Sequence, residues 1–191
     1  IYLYIFNSYI HVMLFYMTVD TCKHCKDCPN RLFNTGRTIE VGIGTITSNT
    51  LIIIPRTYGK EKRDKFINIL KAMWLDITNY ELLEQAYVTY DIKCPCYSNY
   101  NLAGNSNKYC ARILGNELLG LKYVKYIIVF GRAFDVAFID GRERKSTIIN
   151  GYPILYIPLS LNKLDDVKHL FAVKDKLFKA ITYINNKRIY G

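Results

Sequence analysis

Residues 51–74, LIIIPRTYGKEKRDKFINILKAMW, hold a strand, a turn and a helix within a single stretch. Leu51 to Ile54 is a fully apolar, mostly β-branched run, the pattern of a parallel strand buried on both faces. Pro55 to Gly59 turns the chain. Lys60 to Trp74 then sets Phe66, Ile69, Leu70, Met73 and Trp74 at helical spacing, with Lys60, Lys62, Arg63 and Lys71 among the remaining positions. That is an amphipathic helix with a basic outer face.

The same alternation continues outward from this unit. Further strands are predicted over Thr38–Val41, Ala86–Ile92, Tyr123–Phe130 and Tyr152–Ile157. Helices are predicted over Tyr109–Leu119, closed by Gly120, and from Gly131 to Ile139. A last helix, Asp165–Ile184, would turn Val167, Leu170, Phe171, Leu177, Phe178 and Ile181 inward. Strands alternating with helices specify a three-layer α/β/α domain around a mainly parallel, four-stranded sheet. With no repeat, low-complexity tract or linker in view, residues 18–191 are read as one domain.

Residues 1–17, IYLYIFNSYIHVMLFYM, are apolar but lack a basic leader region and a small-residue cleavage site. The segment is also shorter than the roughly 20 residues a spanning helix needs. A membrane anchor is therefore not the favoured reading. An upstream extension before a true start at Met17 accounts for it equally well, and it is assigned no function.

The chain has 191 residues, half of them hydrophobic, enough to bury a core without metal assistance. Lys and Arg number 26 against 16 Asp and Glu, a formal net charge of +10. That balance favours a polyanionic partner, nucleic acid first, over an acidic protein surface or lipid headgroups. Six cysteines are too few for a disulfide scaffold in a chain of this length. Cys25-x-x-Cys28 with interleaved lysine reads instead as metal or cluster ligation in a reducing compartment, the cytoplasm.

Cys25 and Cys28 precede the first α/β unit, and Cys94 and Cys110 lie beyond it with fifteen residues between them. Four thiolates hold either tetrahedral zinc or an iron-sulfur cluster, and the C-x-x-C spacing serves both. The wide spacing of the second pair suits an object larger than a zinc knuckle. Cys22 and Cys96 are left over and are read as ordinary reduced cysteines, although Cys22-x-x-Cys25 has the same spacing.

The flanks of these cysteines carry a resemblance. CKDCPNRLFNTGRTIEVGIGTITSNTLIIIPRTYG, Cys25 to Gly59, resembles the opening of the family 4 uracil-DNA glycosylases: C-x-x-C-P-L, an arginine, V-x-G-x-G, a strand and a G-E-G-P-G loop. YDIKCPC, Tyr90 to Cys96, is similar to that family's N-V-V-K-C-R-P, Cys110 to its fourth cysteine, and YVKYIIVFGRAFDVAF to its P-x-V-I-V-A-L-G-x-x-A strand and turn. The likeness spans about Cys25 to Ile139 in four blocks. It implies a uracil-DNA glycosylase-like fold and a 4Fe-4S cluster on Cys25, Cys28, Cys94 and Cys110.

The catalytic motifs depart from that pattern. The family's acidic loop falls on Pro55-Arg56-Thr57-Tyr58-Gly59, putting Arg56 where a carboxylate belongs. A guanidinium there reverses the sign of the field beside a cationic sugar-like transition state and opposes catalysis. The uracil-reading Asn falls on Tyr90, bulky enough to fill the base pocket. The segment that supplies the stacking Phe is missing, and Phe66 is better read as core. The H-P-S motif falls on Pro158-Leu159-Ser160 without its histidine, and His169 further on is read as structural.

Two functions follow as expectations. The first is an iron-sulfur, glycosylase-like module that binds DNA, and with it a replication or repair protein, without ordinary uracil excision. Arg56, Lys60, Lys62 and Arg63 at a helix start, and Lys108 in the Tyr97–Lys108 loop, would contact phosphates. The alternative is a divergent glycosylase that removes uracil or another modified base in DNA repair, with Glu61 or Asp64 as the relocated acid. A third and lower reading is a zinc-stapled structural subunit. The Tyr, Asn, Ile and Lys usage fits an AT-rich, phage-like genome, which makes the host cytoplasm the expected compartment.

Overall fold

A computed structural model describes residues 22–28, 39–55, 60–91, 93, 110, 112–131, 148–149 and 152–190. Within them the chain is α/β, built on one mixed sheet. The strands are β1 (Ile43–Gly44), β2 (Thr50–Ile54), β3 (Tyr87–Tyr90), β4 (Tyr126–Phe130), β5 (Ile148–Ile149) and β6 (Tyr152–Ile157). Their order across the sheet is β1-β3-β2-β4-β6-β5. The central pairings β2 with β3, β2 with β4 and β4 with β6 are parallel, while β1 and β5 join the edges antiparallel. The sheet therefore has six strands where four were expected.

Every residue of β2 is buried, as its apolar run requires. Alternation along β2 and β4 divides the core in two. Ile52, Ile54, Ile128 and Phe130 face one cluster with α1 (Lys60–Thr78) and a long C-terminal helix. Leu51, Ile53, Ile127 and Val129 face a second cluster with Leu114 and Leu118, which belong to the helix of residues 112–120. Below, that helix is α3, the short Leu82–Gln85 helix is α2, and the C-terminal helix Val167–Tyr190 is α4.

The inward face of α1 is the expected one: Phe66, Leu70 and Trp74 are buried, and Ile69 and Met73 pack against them. The helix runs four residues beyond Trp74. It ends where Asn79 adopts φ +60° and its N–H donates to the Leu75 carbonyl at 2.8 Å, a left-handed stop. Asp166 opens α4 by accepting from the Lys168 and His169 amides at 2.9 and 3.2 Å. A cap of this kind contributes about 1 kcal/mol.

Three expectations fail for definable reasons. Thr38–Val41 does not supply the first strand, because described residues 39–42 lie outside the ladder. Their amides are spent on single long-range bonds, Glu40 N–H to the Lys93 carbonyl at 2.7 Å and Gly42 N–H to Glu117 at 2.7 Å. Strand β4 starts three residues later than expected, at Tyr126, since Leu121–Val124 forms a turn closed by the Val124 amide on the Leu121 carbonyl, 3.3 Å. In α4 the buried stripe is Val173, Leu177, Ala180, Ile181 and Ile184, with Leu170 beside it. Val167, Phe171 and Phe178 face out, 78, 73 and 53% exposed. The stripe that fits a 3.6-residue period over the whole helix wins over the bulkier side chains. The Gly131–Ile139 helix lies outside the described residues.

Among the described residues no helix is long and apolar enough to cross a membrane. The helix register makes a direct prediction. Leu177→Ala should cost about 2–5 kcal/mol in urea unfolding. Phe171→Ser should change stability by no more than about 0.5 kcal/mol.

Candidate functional site

In parallel sheets, ligands sit beyond the strand carboxyl ends, where successive connections leave to opposite sides. Here β3 lies on one side of β2 and β4 on the other, which puts that point between β2 and β4. Pro55, Tyr90, Gly131 and Pro158 follow or end the four parallel strands there. Gly131 is confined by geometry: its φ is +52°, and a Cβ would lie 2.7 Å from the Leu159 carbonyl oxygen. Its N–H donates to the Ile157 carbonyl at 2.9 Å, which draws the β4 exit against residues 157–159.

Tyr90 is 6% exposed, and the Arg63 guanidinium carbon stands 5.5 Å from its ring centroid. Arg63 is held in turn. Its Nη1 donates to both oxygens of Glu40 at 3.1 and 2.9 Å, and its Nε to Asp64 at 3.2 Å. A guanidinium shared between a carboxylate and an aromatic face is a rigid assembly. Phe66 is 1% exposed and packs edge-on to Phe130 with centroids 5.4 Å apart, a core role. His169 Nε2 accepts the Ser160 amide at 3.1 Å, pinning the loop after β6 to α4.

The charged candidates of α1 divide by environment. Glu61 and Lys62 are exposed, and the Lys62 ammonium donates to Asn162 at 3.3 Å. Asp64 is paired with Arg63, and Arg63 is turned inward to Glu40. Lys60 is the first residue of the helix. Arg56 and Lys108 lie outside the described residues.

The thiols converge. Cys22, Cys25, Cys28 and Cys110 are all buried and none is in a disulfide. The Cys25 amide donates to the Cys22 carbonyl at 2.9 Å and the Cys28 amide to the Cys25 carbonyl at 3.0 Å, two successive turns of one winding. A hydrogen bond with Cys22, burial, and the charges of Cys22, Cys110 and Cys28 push the Cys25 thiol far above its ordinary range. Burial among neighbouring sulfurs keeps the Cys25 thiol protonated. Cys25, Cys28 and Cys110 are buried soft donors of the type a thiophilic metal or cluster takes. Cys22, set aside by the sequence reading, stands in the same group, while Cys94 and Cys96 lie outside the described residues. The grouping is one of electrostatic contact rather than shared coordination: among the described residues no three Cys, His, Asp or Glu close on a single metal ion.

A feature the sequence reading missed lies between the helix of Cys110 and the end of β3. Glu117, on α3, is 3% exposed and accepts four hydrogen bonds. Its Oε1 takes the Gly42 amide and the Tyr87 hydroxyl, both at 2.7 Å. Its Oε2 takes the Thr89 hydroxyl at 2.9 Å and the Lys93 ammonium, which also donates to Thr89. Lys93 is 1% exposed. Burial alone would push the Glu117 carboxyl up. The Lys93 charge, with hydrogen bonds from Lys93, Gly42 and Tyr87, outweighs burial and holds it below the usual range. The sequence does carry a signal: Glu117 occupies the apolar stripe of Ile113, Leu114 and Leu121.

No protein-family model matches the chain, and no curated protein matches it. The site therefore stands on its own geometry.

Because the folded carboxyl titrates below its unfolded value of about 4.3, Glu117 stabilises the fold fully above that pH. The contribution is lost as pH falls through the lower folded value. Urea midpoints from pH 7 to pH 3 should therefore fall for the wild type. Glu117→Gln should cost about 3–5 kcal/mol at pH 7, since it leaves Lys93 buried without its counter-charge, and should show a flatter acid limb.

Proposed function

We propose that the chain is an iron-sulfur, uracil-DNA glycosylase-like protein that binds DNA and does not perform ordinary uracil excision. The observation that carries this reading is Tyr90. At the carboxyl end of β3, where the resembled family reads uracil with an asparagine, this chain buries an aromatic ring under Arg63. A flipped base needs an open pocket with hydrogen-bond donors and acceptors aimed at its edge. The Tyr90–Arg63–Glu40 assembly instead sets a buried, cation-capped ring at that position.

The three-layer α/β/α arrangement around a mainly parallel four-stranded core belongs to this reading. It is supported by helices covering both faces of the central strands. Cys25, Cys28, Cys94 and Cys110 would hold the 4Fe-4S cluster, with zinc as the alternative. When bound, the cluster supplies an inorganic brace between the early loop and the middle of the chain. The buried Cys25, Cys28 and Cys110 supply soft donors in a water-poor setting. Lys60 and Lys62 in the first turn of α1, with Arg56 before them and Lys108, would meet phosphates, where helix dipole and charge act together. Arg63 contributes by fixing Tyr90. A replication or repair protein is the expected second partner, and the reducing cytoplasm the expected compartment.

Three measurements test the reading. Protein purified without oxygen should be brown and carry about four irons per chain; a colourless protein with one zinc would remove the iron-sulfur assignment. The pair Arg56→Ala with Lys60→Ala should weaken binding to all DNA sequences alike and lower the slope of log affinity against log salt by about two. Oligonucleotides containing uracil, hypoxanthine or hydroxymethyluracil should yield no abasic sites. Abasic product that disappears in Glu61→Gln would replace this reading with the divergent glycosylase.

A further inference from the structure

We propose that His169 is a proton-sensitive latch: its neutral ring holds the stretch after β6 against the exit of β4, and a proton on the ring releases that wall of the crevice. The inference stands apart from the cluster and DNA readings, because every group in it belongs to the fold itself.

The bond between α4 and this stretch works in one protonation state. The Ser160 amide donates to His169 Nε2 at 3.1 Å. An N–H donor needs a lone pair opposite it, so Nε2 is the bare nitrogen and the neutral ring carries its proton on Nδ1. Protonation puts an N–H on both nitrogens. The acceptor then becomes a donor facing a donor, and the bond is lost. Histidine is the side chain whose charge ordinarily changes between about pH 5 and 8, so the latch is closed at the upper end of that range and opens towards the lower.

Residues 157–160 carry the bond to the crevice. The Ile157 carbonyl accepts the Gly131 amide at 2.9 Å, and the Leu159 carbonyl oxygen lies 2.7 Å from where a Cβ on Gly131 would stand. Pro158, between them, has no amide to donate. The Ser160 carbonyl accepts the Lys163 amide at 3.0 Å, at the start of the short helix Leu161–Lys163. The stretch is therefore held to β4 at one end and to α4 at the other. Any occupant of the crevice meets a wall whose position depends on one proton.

The charged ring has an alternative partner. The His169 amide donates to Asp166 Oδ1 at 3.2 Å, which keeps a carboxylate within one turn of the ring. Asp165 takes the Lys65 ammonium of α1. The other charged groups on the surrounding elements are cations: Lys163 in the short helix, Lys168 beside it in α4, and Lys62 of α1, which donates to Asn162. The β6 exit adds no titrating group at residues 157–160. An imidazolium is thus attracted to Asp166 and opposed by the Ser160 amide, and both effects favour release.

Amide hydrogen exchange, corrected for the intrinsic rate at each pH, reads the latch residue by residue. In the wild type, Ser160 protection should fall about five- to tenfold from about pH 8 to about pH 5, the factor that one net hydrogen bond corresponds to. Gly131 protection should fall over the same interval, because the wall moves with the latch. Carboxylates titrate below this window, and Glu117 is held lower still, so the buried hub stays charged throughout. His169→Gln offers an amide oxygen that accepts the same N–H without titrating, and should keep both amides within about twofold of constant protection. His169→Phe removes the acceptor and should leave Ser160 weakly protected at either pH. His11 and His24, the other histidines of the chain, remain in both variants, so any effect of theirs persists there. Imidazole nitrogen shifts of the wild type at about pH 8 should place the proton on Nδ1. A proton on Nε2, unchanged Ser160 protection, or an equal fall in His169→Gln overturns the proposal. So does a Gly131 amide that stays protected while Ser160 loses protection. The nitrogen shifts and the wild-type exchange need no variant, and they decide the matter if either substitution prevents folding.

Discussion

A carboxylate removed from water must find a donor for nearly every lone pair, and Glu117 finds its donors in Gly42, Tyr87, Thr89 and Lys93. Those four residues sit on two stretches that also meet at the short β1–β3 pairing and at the Glu40–Lys93 backbone bond, and Glu117 itself rides on a third. Satisfying it fixes how far β3 runs, where the chain lies before β1, and which way α3 faces. The Gly42 amide is drawn away from ladder pairing by the same demand, and the Glu40 amide goes to the Lys93 carbonyl. Apolar burial supplies the bulk driving force, but it is non-directional. The polar hub selects one arrangement from the many that would bury the same area.

The site inherits its character from the alternation of β3. Tyr87 and Thr89 point to the hub, while Val88 and Tyr90 point to the face covered by α1 and α4. Tyr90 therefore reaches the crevice on the side where Arg63 leaves α1. Arg63 meets an aromatic face and the Glu40 carboxylate there, so its charge is spent inside the protein. Lys62, one residue earlier, remains exposed. The division between structural and available cations follows helical geometry, since consecutive residues differ by about 100° around the axis.

Sequence was most legible where one physical effect dominated. The β2–α1 unit was readable because a fully apolar run and a clean helical stripe have few alternative solutions. The spacing singled out Cys25, Cys28 and Cys110, which are buried, but gave no reason to prefer Cys25-x-x-Cys28 to Cys22-x-x-Cys25, and Cys22 is buried as well. In α4 two stripes compete, and size favoured the wrong one: Phe171 and Phe178 each sit one residue beyond a stripe residue, Leu170 and Leu177. Thr38–Val41 looked like a strand because β-branching is a local property, whereas the backbone partner of Glu40 within it, the Lys93 carbonyl, is more than fifty residues away. Lys93 and Glu117 were hidden for a related reason. A charged residue reads as surface until its counter-charge is known to meet it, and these two are 24 positions apart.

The two antiparallel edge strands, β1 and β5, are each two residues long. The interior of the sheet has the composition most prone to self-association, with Leu51–Ile54 and Ile127–Val129 apolar throughout and free of proline. Growth of one sheet onto another needs an extended row of unpaired amides and carbonyls at a rim, and a two-residue rim offers almost none. Among the described residues, outer strands this short act as insulation, limiting the template that the adhesive central strands can offer through the sheet's edges.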